Sequence, residues 1–282
     1  MNNLRTYPRL ARYCLYLAAV LLLLNFLPVE LDYFHLHPMP GEKFDKSLAA
    51  RTRSMDELLQ VGDQRTAAAG LQKGSIGYAL EWQRLVSERF TQGYSCYRLS
   101  QNWMASLAGI VRPDLAAIVT PNDLLKFPKA ACSQQSIVLM EALRKRGYDI
   151  RTVLFTSHFA LEARAEGRWV LLDPQMEPPL TIANAADVLT IAAPDYCHNV
   201  YHGVLTTWRF ENNLRRPIQF GAVNAPVAPN LRRLHQATRI GSRIAFLLPL
   251  GLGLMLIRRS RKRRNAGVGG QQPVPIAAEP VE

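Results

Sequence analysis

The sequence predicts an α+β domain flanked by two membrane-spanning helices. Three observations carry that reading. Apolar residues recur at helical spacing over 76–90, around 100–110 and over 136–146. β-Branched or alternating runs follow at once, IRTVLFT at 150–156, HFALEARAEG at 158–167 and RWVLLDP at 168–174. Finally, two apolar runs, 13–29 and 240–257, each lie beside a short cluster of basic residues.

That clustering decides what the charge means. The net charge is +12, yet Arg5, Arg9 and Arg12 precede the first apolar run with no acid among them. Six bases crowd Arg258–Arg264 after the second run. Residues 28–239 hold 24 basic and 20 acidic side chains, an excess of only four. Basicity confined to the flanks of apolar runs belongs to membrane topology, and it argues against a nucleic-acid-binding face. A composition 48% hydrophobic and 20% charged also excludes a largely disordered chain.

Taken in order, residues 1–12 form a cytoplasmic N-terminus and 13–29 a first span. The apolar centre of that span is followed by Pro28, Val29 and Glu30 with no small-residue cleavage site, so it reads as an uncleaved anchor rather than a signal peptide. Residues 30–75 read as a stalk with accessory helices, one of them capped by Ser54. Residues 76–215 form the catalytic-looking domain, in which Pro113, Pro121 and Pro128 punctuate the approach to Cys132. A helix is also expected at 185–193. Residues 216–239, rich in Pro, Ala and Asn, read as a linker. The second span occupies 240–257, and 258–282 is a basic, disordered cytoplasmic tail. With both basic flanks cytoplasmic, the domain between them lies on the other side of the membrane, in a bacterium the periplasm or the exterior.

The chemistry concentrates in residues 129–174. Cys132 opens the predicted helix that ends before Gly147, where unpaired amides and the positive end of the helix dipole favour a thiolate. His158 opens the second strand and Asp173 closes the third. An antiparallel pairing of those strands places the two side by side. A thiol, a base and a carboxylate that orients the base are the parts of nucleophilic acyl transfer. Trp103 is a candidate oxyanion donor through its indole N–H, with a core role as the alternative. Glu162 reads as a structural partner, since the reaction already has its base. Cys197, His198 and His202 have a spacing that zinc could use, but no further ligand is evident, so neither a metal nor another cofactor is expected. Cysteines at 14, 96, 132 and 197 include no CxxC pair; Cys96 and Cys197 could form a disulfide in an oxidising compartment.

The Cys132 helix, its R-x-x-G ending at Arg144–Gly147, then H-x-x-x-E at His158–Glu162, G-x-W-V at Gly167–Val170 and L-D-P at Leu172–Pro174 together resemble the bacterial transglutaminase-like superfamily. Where that family commonly has an aromatic two residues after its His, this chain has Ala160. The resemblance implies a papain-like fold: a helix bearing Cys packed on an antiparallel sheet bearing His and Asp. It implies a Cys-His-Asp triad on Cys132, His158 and Asp173. The expected function is therefore a membrane-anchored, extracytoplasmic cysteine enzyme acting on amide bonds of proteins or peptides, by hydrolysis or transamidation. The alternative is a silent domain of the same fold that binds a cell-envelope peptide or polymer. The expected partners are a protein or peptide substrate and the membrane, with no nucleic acid; the oligomeric state is not legible.

Overall fold

The computed structural model describes residues 6–34, 43–156, 158–175 and 217–268. Within them the chain is mixed α and β. Helices α1 (Thr6–Leu24), α2 (Lys46–Arg51), α3 (Met55–Ala68), α4 (Ile76–Arg89), α5 (Leu99–Val111), α6 (Pro121–Leu124) and α7 (Cys132–Lys145) precede strands β1 (Ile150–Leu154), β2 (Phe159–Ala165) and β3 (Arg168–Leu172). Strand β4 (Gln219–Phe220) and helices α8 (Pro229–Ile244) and α9 (Leu247–Val268) complete the described elements. The chain divides into two compact units, one made of Leu31–Tyr97 with Ser106–Leu234, the other of residues up to Glu30, Arg98–Ala105 and residues from His235.

The first of these units holds the sheet, antiparallel throughout, in the order β3-β2-β1-β4. Its core joins Trp82, Leu85 and Val86 of α4 to Val138, Leu139 and Leu143 of α7 and to Val153, Leu161 and Leu172 of the sheet, all buried. Helix α4 forms where the spacing predicts it. Ser75 caps it by accepting from Tyr78 N–H at 3.1 Å, and its apolar face turns inward. Helix α7 ends with Gly147 at φ 87°, a left-handed position, and Tyr148 N–H donates to Leu143 O at 3.1 Å. The β2–β3 turn uses Glu166 and Gly167 at φ 50° and 80°, the twist that suits a two-residue hairpin. Glu166 Oε1 also accepts from Ile76 N–H at 3.0 Å, tying the hairpin to the start of α4.

Two expectations about the flanks of this domain need correction. Residues 46–68, expected as a stalk with accessory helices, do form helices, but these belong to the same compact unit as the sheet. Ser54 and Glu57 form a capping box at the start of α3. Gly62 lies so close to Trp82 that an added Cβ would overlap the ring. A glycine contact contributes no apolar residue to the periodicity, so the packing was invisible in the pattern. Residues 216–239 are likewise not a simple linker. Strand β4 pairs with β1 through Val153↔Phe220 and Leu154↔Gln219, and Asn224 exchanges backbone and side-chain bonds with Ile150. Asn224, at φ 57°, is a turn residue; its loop-like composition hid a docked segment. The expected helix at 185–193 lies outside the described residues.

In the other unit α1 packs along α9. Ala11, Cys14 and Leu256 are buried against one another, and Gly253 lets Leu15, the Ala11 carbonyl and Cys14 approach within 3.2–3.3 Å of where a Cβ would stand. Tyr13, Tyr16, Val20, Leu23, Leu248 and Leu254 point outward. Among the described residues one helical stretch, Pro229–Lys262, is long and apolar enough to cross a membrane. It starts well before the expected 240, and α9 carries the helix through the basic cluster that was expected to be disordered.

Candidate active site

The site is built on the N-terminus of α7. The loop leading to it is held from behind by Arg89, buried in α4, whose guanidinium donates to Thr52 O (3.1 Å), Leu125 O (2.6 Å) and Phe127 O (3.1 Å). Burial, with Arg53 nearby, pushes Arg89 down to about 10. Residues 91–95 then run alongside the loop. Thr91 N–H donates to Pro128 O, Ala130 N–H to Thr91 O, and Ser95 Oγ to Lys129 O. Gln134 locks the two segments together. Its Oε1 accepts from Ser95 N–H (2.9 Å) and Ala131 N–H (3.3 Å), and its Nε2 donates to Ser95 O (2.8 Å) and Ile118 O (2.9 Å). Four bonds to one buried amide fix the helix start, and with it the position of Cys132.

Cys132 is the first residue of α7 and is half-buried. Ser136, one turn on, donates to Phe159 O at 3.3 Å and ties the helix to the start of β2. His158 stands immediately before that strand, and its ring hydrogen-bonds the Cys132 side chain. The antiparallel register Leu161↔Leu172 carries Asp173 opposite Ala160, beside His158. His158 Nε2 is 2.5 Å from Asp173 Oδ2, so Nδ1 is the nitrogen left for the thiol. Gln83 Oε1 accepts from Asp173 N–H at 2.8 Å, and Asp173 Oδ1 accepts from Gln175 N–H at 3.1 Å, which fixes the carboxylate. Phe155 stacks on the His158 ring at 6.0 Å between centroids.

The electrostatics favour an ion pair. Burial alone raises the Cys132 thiol, but the hydrogen bond and charge of His158 and the Phe159 N–H outweigh it, and the net direction is down. Burial alone lowers His158. The charge and hydrogen bond of Asp173, reinforced by Cys132, outweigh that too and carry the imidazole up to about 10. Both directions favour the thiolate–imidazolium form of the pair, the form that attacks a carbonyl and then protonates a leaving amine.

The structure thus brings Cys132, His158 and Asp173 together. It removes Trp103 as an oxyanion donor: the indole is buried and its Nε1–H donates to Ser242 O at 2.9 Å, so the proton is already committed. Glu162 is the structural partner the sequence indicated. It is fully buried and 2.6 Å from Arg151, whose guanidinium also lies over Trp169 and Phe220, at 4.5 and 4.2 Å from the ring centroids. Among the described residues no cluster of His, Cys, Asp or Glu could hold a metal. Cys197, His198 and His202, and with them the Cys96–Cys197 pairing, lie outside the described residues. Sequence reasoning missed Gln83, Gln134 and Tyr94. A lone Gln gives no signal without the register that aims it, and Tyr94 falls between two predicted helices, where nothing in the sequence singles it out. No family model matches the chain, and no curated protein or solved structure matches it either.

Proposed function

We propose that the chain is a cysteine-dependent acyl-transfer enzyme of transglutaminase-like type, with a papain-like core, acting on amide bonds of proteins or peptides. The observation that carries it is the hydrogen-bonded chain from Cys132 through His158 to Asp173, with both ends of the imidazole committed. The thiolate sulfur adds to the carbonyl carbon, and the π pair moves onto oxygen. The Cys132 backbone N–H, at the open end of α7, meets that oxyanion. His158 gives its proton to the departing amine as the C–N bond breaks. Water or a primary amine then attacks the thioester, with His158 as base and Asp173 holding its orientation.

The domain is anchored by two spans, α1 and the α8–α9 stretch, with both termini cytoplasmic. The basic clusters beside the apolar runs and the outward-facing apolar side chains of α1 and α9 support this placement. Substrates are therefore proteins or peptides of the extracytoplasmic envelope.

The test is acyl-enzyme formation. Detergent-solubilised protein given p-nitrophenyl acetate should release a burst of one p-nitrophenol per chain and carry an acetyl group on the Cys132 peptide by mass spectrometry. Cys132→Ser and His158→Ala should each lose the burst. An acetyl-free Cys132 peptide in the wild-type protein rules the mechanism out and leaves a binding domain of the same fold.

A further inference from the structure

Tyr94 is a polar group beside the nucleophile that the mechanism above does not use. The segment that carries it is fixed against α7 on both sides. Thr91 pairs with the Pro128–Ala130 backbone, and Ser95 is held by Gln134 and by Lys129 O. Between these anchors the Tyr94 ring stacks on Phe34 with centroids 3.9 Å apart and planes at 24°. Its hydroxyl hydrogen-bonds the side chain of Ser133, the residue after the nucleophile in the first turn of α7. The phenol thus stands at the same helix end as the Cys132 N–H, clamped by backbone and by a ring stack.

We propose that the Tyr94 hydroxyl is the second oxyanion donor, completing with the Cys132 N–H the hole that Trp103 cannot supply. The proposal rests on the acyl-transfer reading and deepens it. One backbone amide leaves an oxyanion half-solvated, and a pre-aimed O–H in a water-poor site stabilises it far more than water does. Burial raises Tyr94, and the charge of Cys132 pushes the same way, with Ser133 opposing; the phenol therefore keeps its proton at neutral pH and remains a donor. Ser133 holds the hydroxyl in place in the resting enzyme and yields it when charge develops.

The experiment separates oxyanion binding from thiolate formation. Iodoacetamide alkylates a thiolate by displacing iodide and forms no oxyanion. A peptide aldehyde, N-acetyl-phenylalanyl-glycinal, accepts the Cys132 sulfur at its carbonyl carbon. The C–S bond forms as the π pair moves to oxygen, leaving an alkoxide in the hole while His158 keeps its proton. Full-length wild-type and Tyr94→Phe proteins in detergent are labelled with iodoacetamide at neutral pH over a range of aldehyde concentrations. The Phe variant keeps the stack on Phe34, so it should match the wild type in iodoacetamide rate and melting temperature. It should need about a hundredfold more aldehyde to protect Cys132, the loss expected for one oxyanion donor. Equal protecting concentrations, or no protection in either protein, overturn the assignment of Tyr94 while leaving the thiolate intact. A wild-type Cys132 that iodoacetamide labels no faster than an ordinary thiol overturns the acyl-transfer reading itself.

Discussion

At the scale of single residues, most of the site's precision comes from amides and carboxylates that do no chemistry. Asp173 acts through His158. An Asn there keeps a hydrogen bond but removes the charge that offsets burial of the imidazolium. Asp173→Asn should therefore return His158 toward its ordinary value or below and slow acyl-enzyme formation at neutral pH by about 10⁴-fold. The p-nitrophenol burst rate measures this. Turnover, which needs thiolate and imidazolium together, should fall on the acid side as Cys132 takes up a proton. It should fall again as pH rises through about 10, where His158 loses its proton. A different logic governs Glu162, whose carboxylate is buried against Arg151. Arg151→Ala removes the guanidinium from that buried carboxylate and should destabilise the fold, by up to about 3–5 kcal/mol, the penalty for breaking a buried pair. Urea unfolding followed by tryptophan fluorescence checks it.

At the scale of elements, α7 and the β2–β3 hairpin were legible because each obeys a local rule. The apolar spacing of Ile137, Val138 and Leu143 with Gly147 beyond predicts the helix, and Glu166–Gly167 predicts the turn. The side-by-side placement of His158 and Asp173 followed from antiparallel pairing alone, and the register Leu161↔Leu172 delivers it. What the sequence hid was contact between distant segments. Gln134 looks like any polar helix residue until Ser95 and Ile118 come into reach. Gln134→Ala removes four bonds and leaves buried backbone groups without their amide. It should cost about 1–3 kcal/mol for each group left unsatisfied and should slow Cys132 labelling as the helix start loosens. Gly62 was hidden for the opposite reason, having no side chain to register in a pattern. Gly62→Ala gains helix propensity of about 1 kcal/mol, but its Cβ meets the Trp82 ring. The contact between α3 and α4 must then open, and the net effect should be a loss of about 1–3 kcal/mol by thermal melting in detergent.

At the scale of the whole molecule, charge placement carried more of the reading than net charge. A value of +12 points to nucleic acid until the bases are located beside apolar runs. Apolar side chains of α1 and α9 face outward, and the helix boundaries do not follow the apolar runs closely. Helix α8 begins at Pro229, ahead of the apolar run, because Asn102, Trp103 and Met104 bond to its later residues, among them Thr238 and Ser242. Such tertiary support extends a helix past the point where composition alone would end it. The proposed two-span topology makes a separate prediction. A reporter active only outside the cytoplasm should be silent when fused after residue 282 and active when inserted near Gly74, and activity at the far end would remove the second crossing.

The central claim is that His158 holds Cys132 as a thiolate, and the rate of Cys132 alkylation against pH tests it most directly. In the wild-type protein the rate should level off at a lower pH than that of an ordinary thiol, because the hydrogen bond and charge of His158 lower Cys132. In His158→Ala the rate at pH 7 should drop by up to about thirtyfold and recover only as pH climbs through the ordinary thiol range. Superimposable profiles for the two proteins, both rising in alkali, would contradict the account.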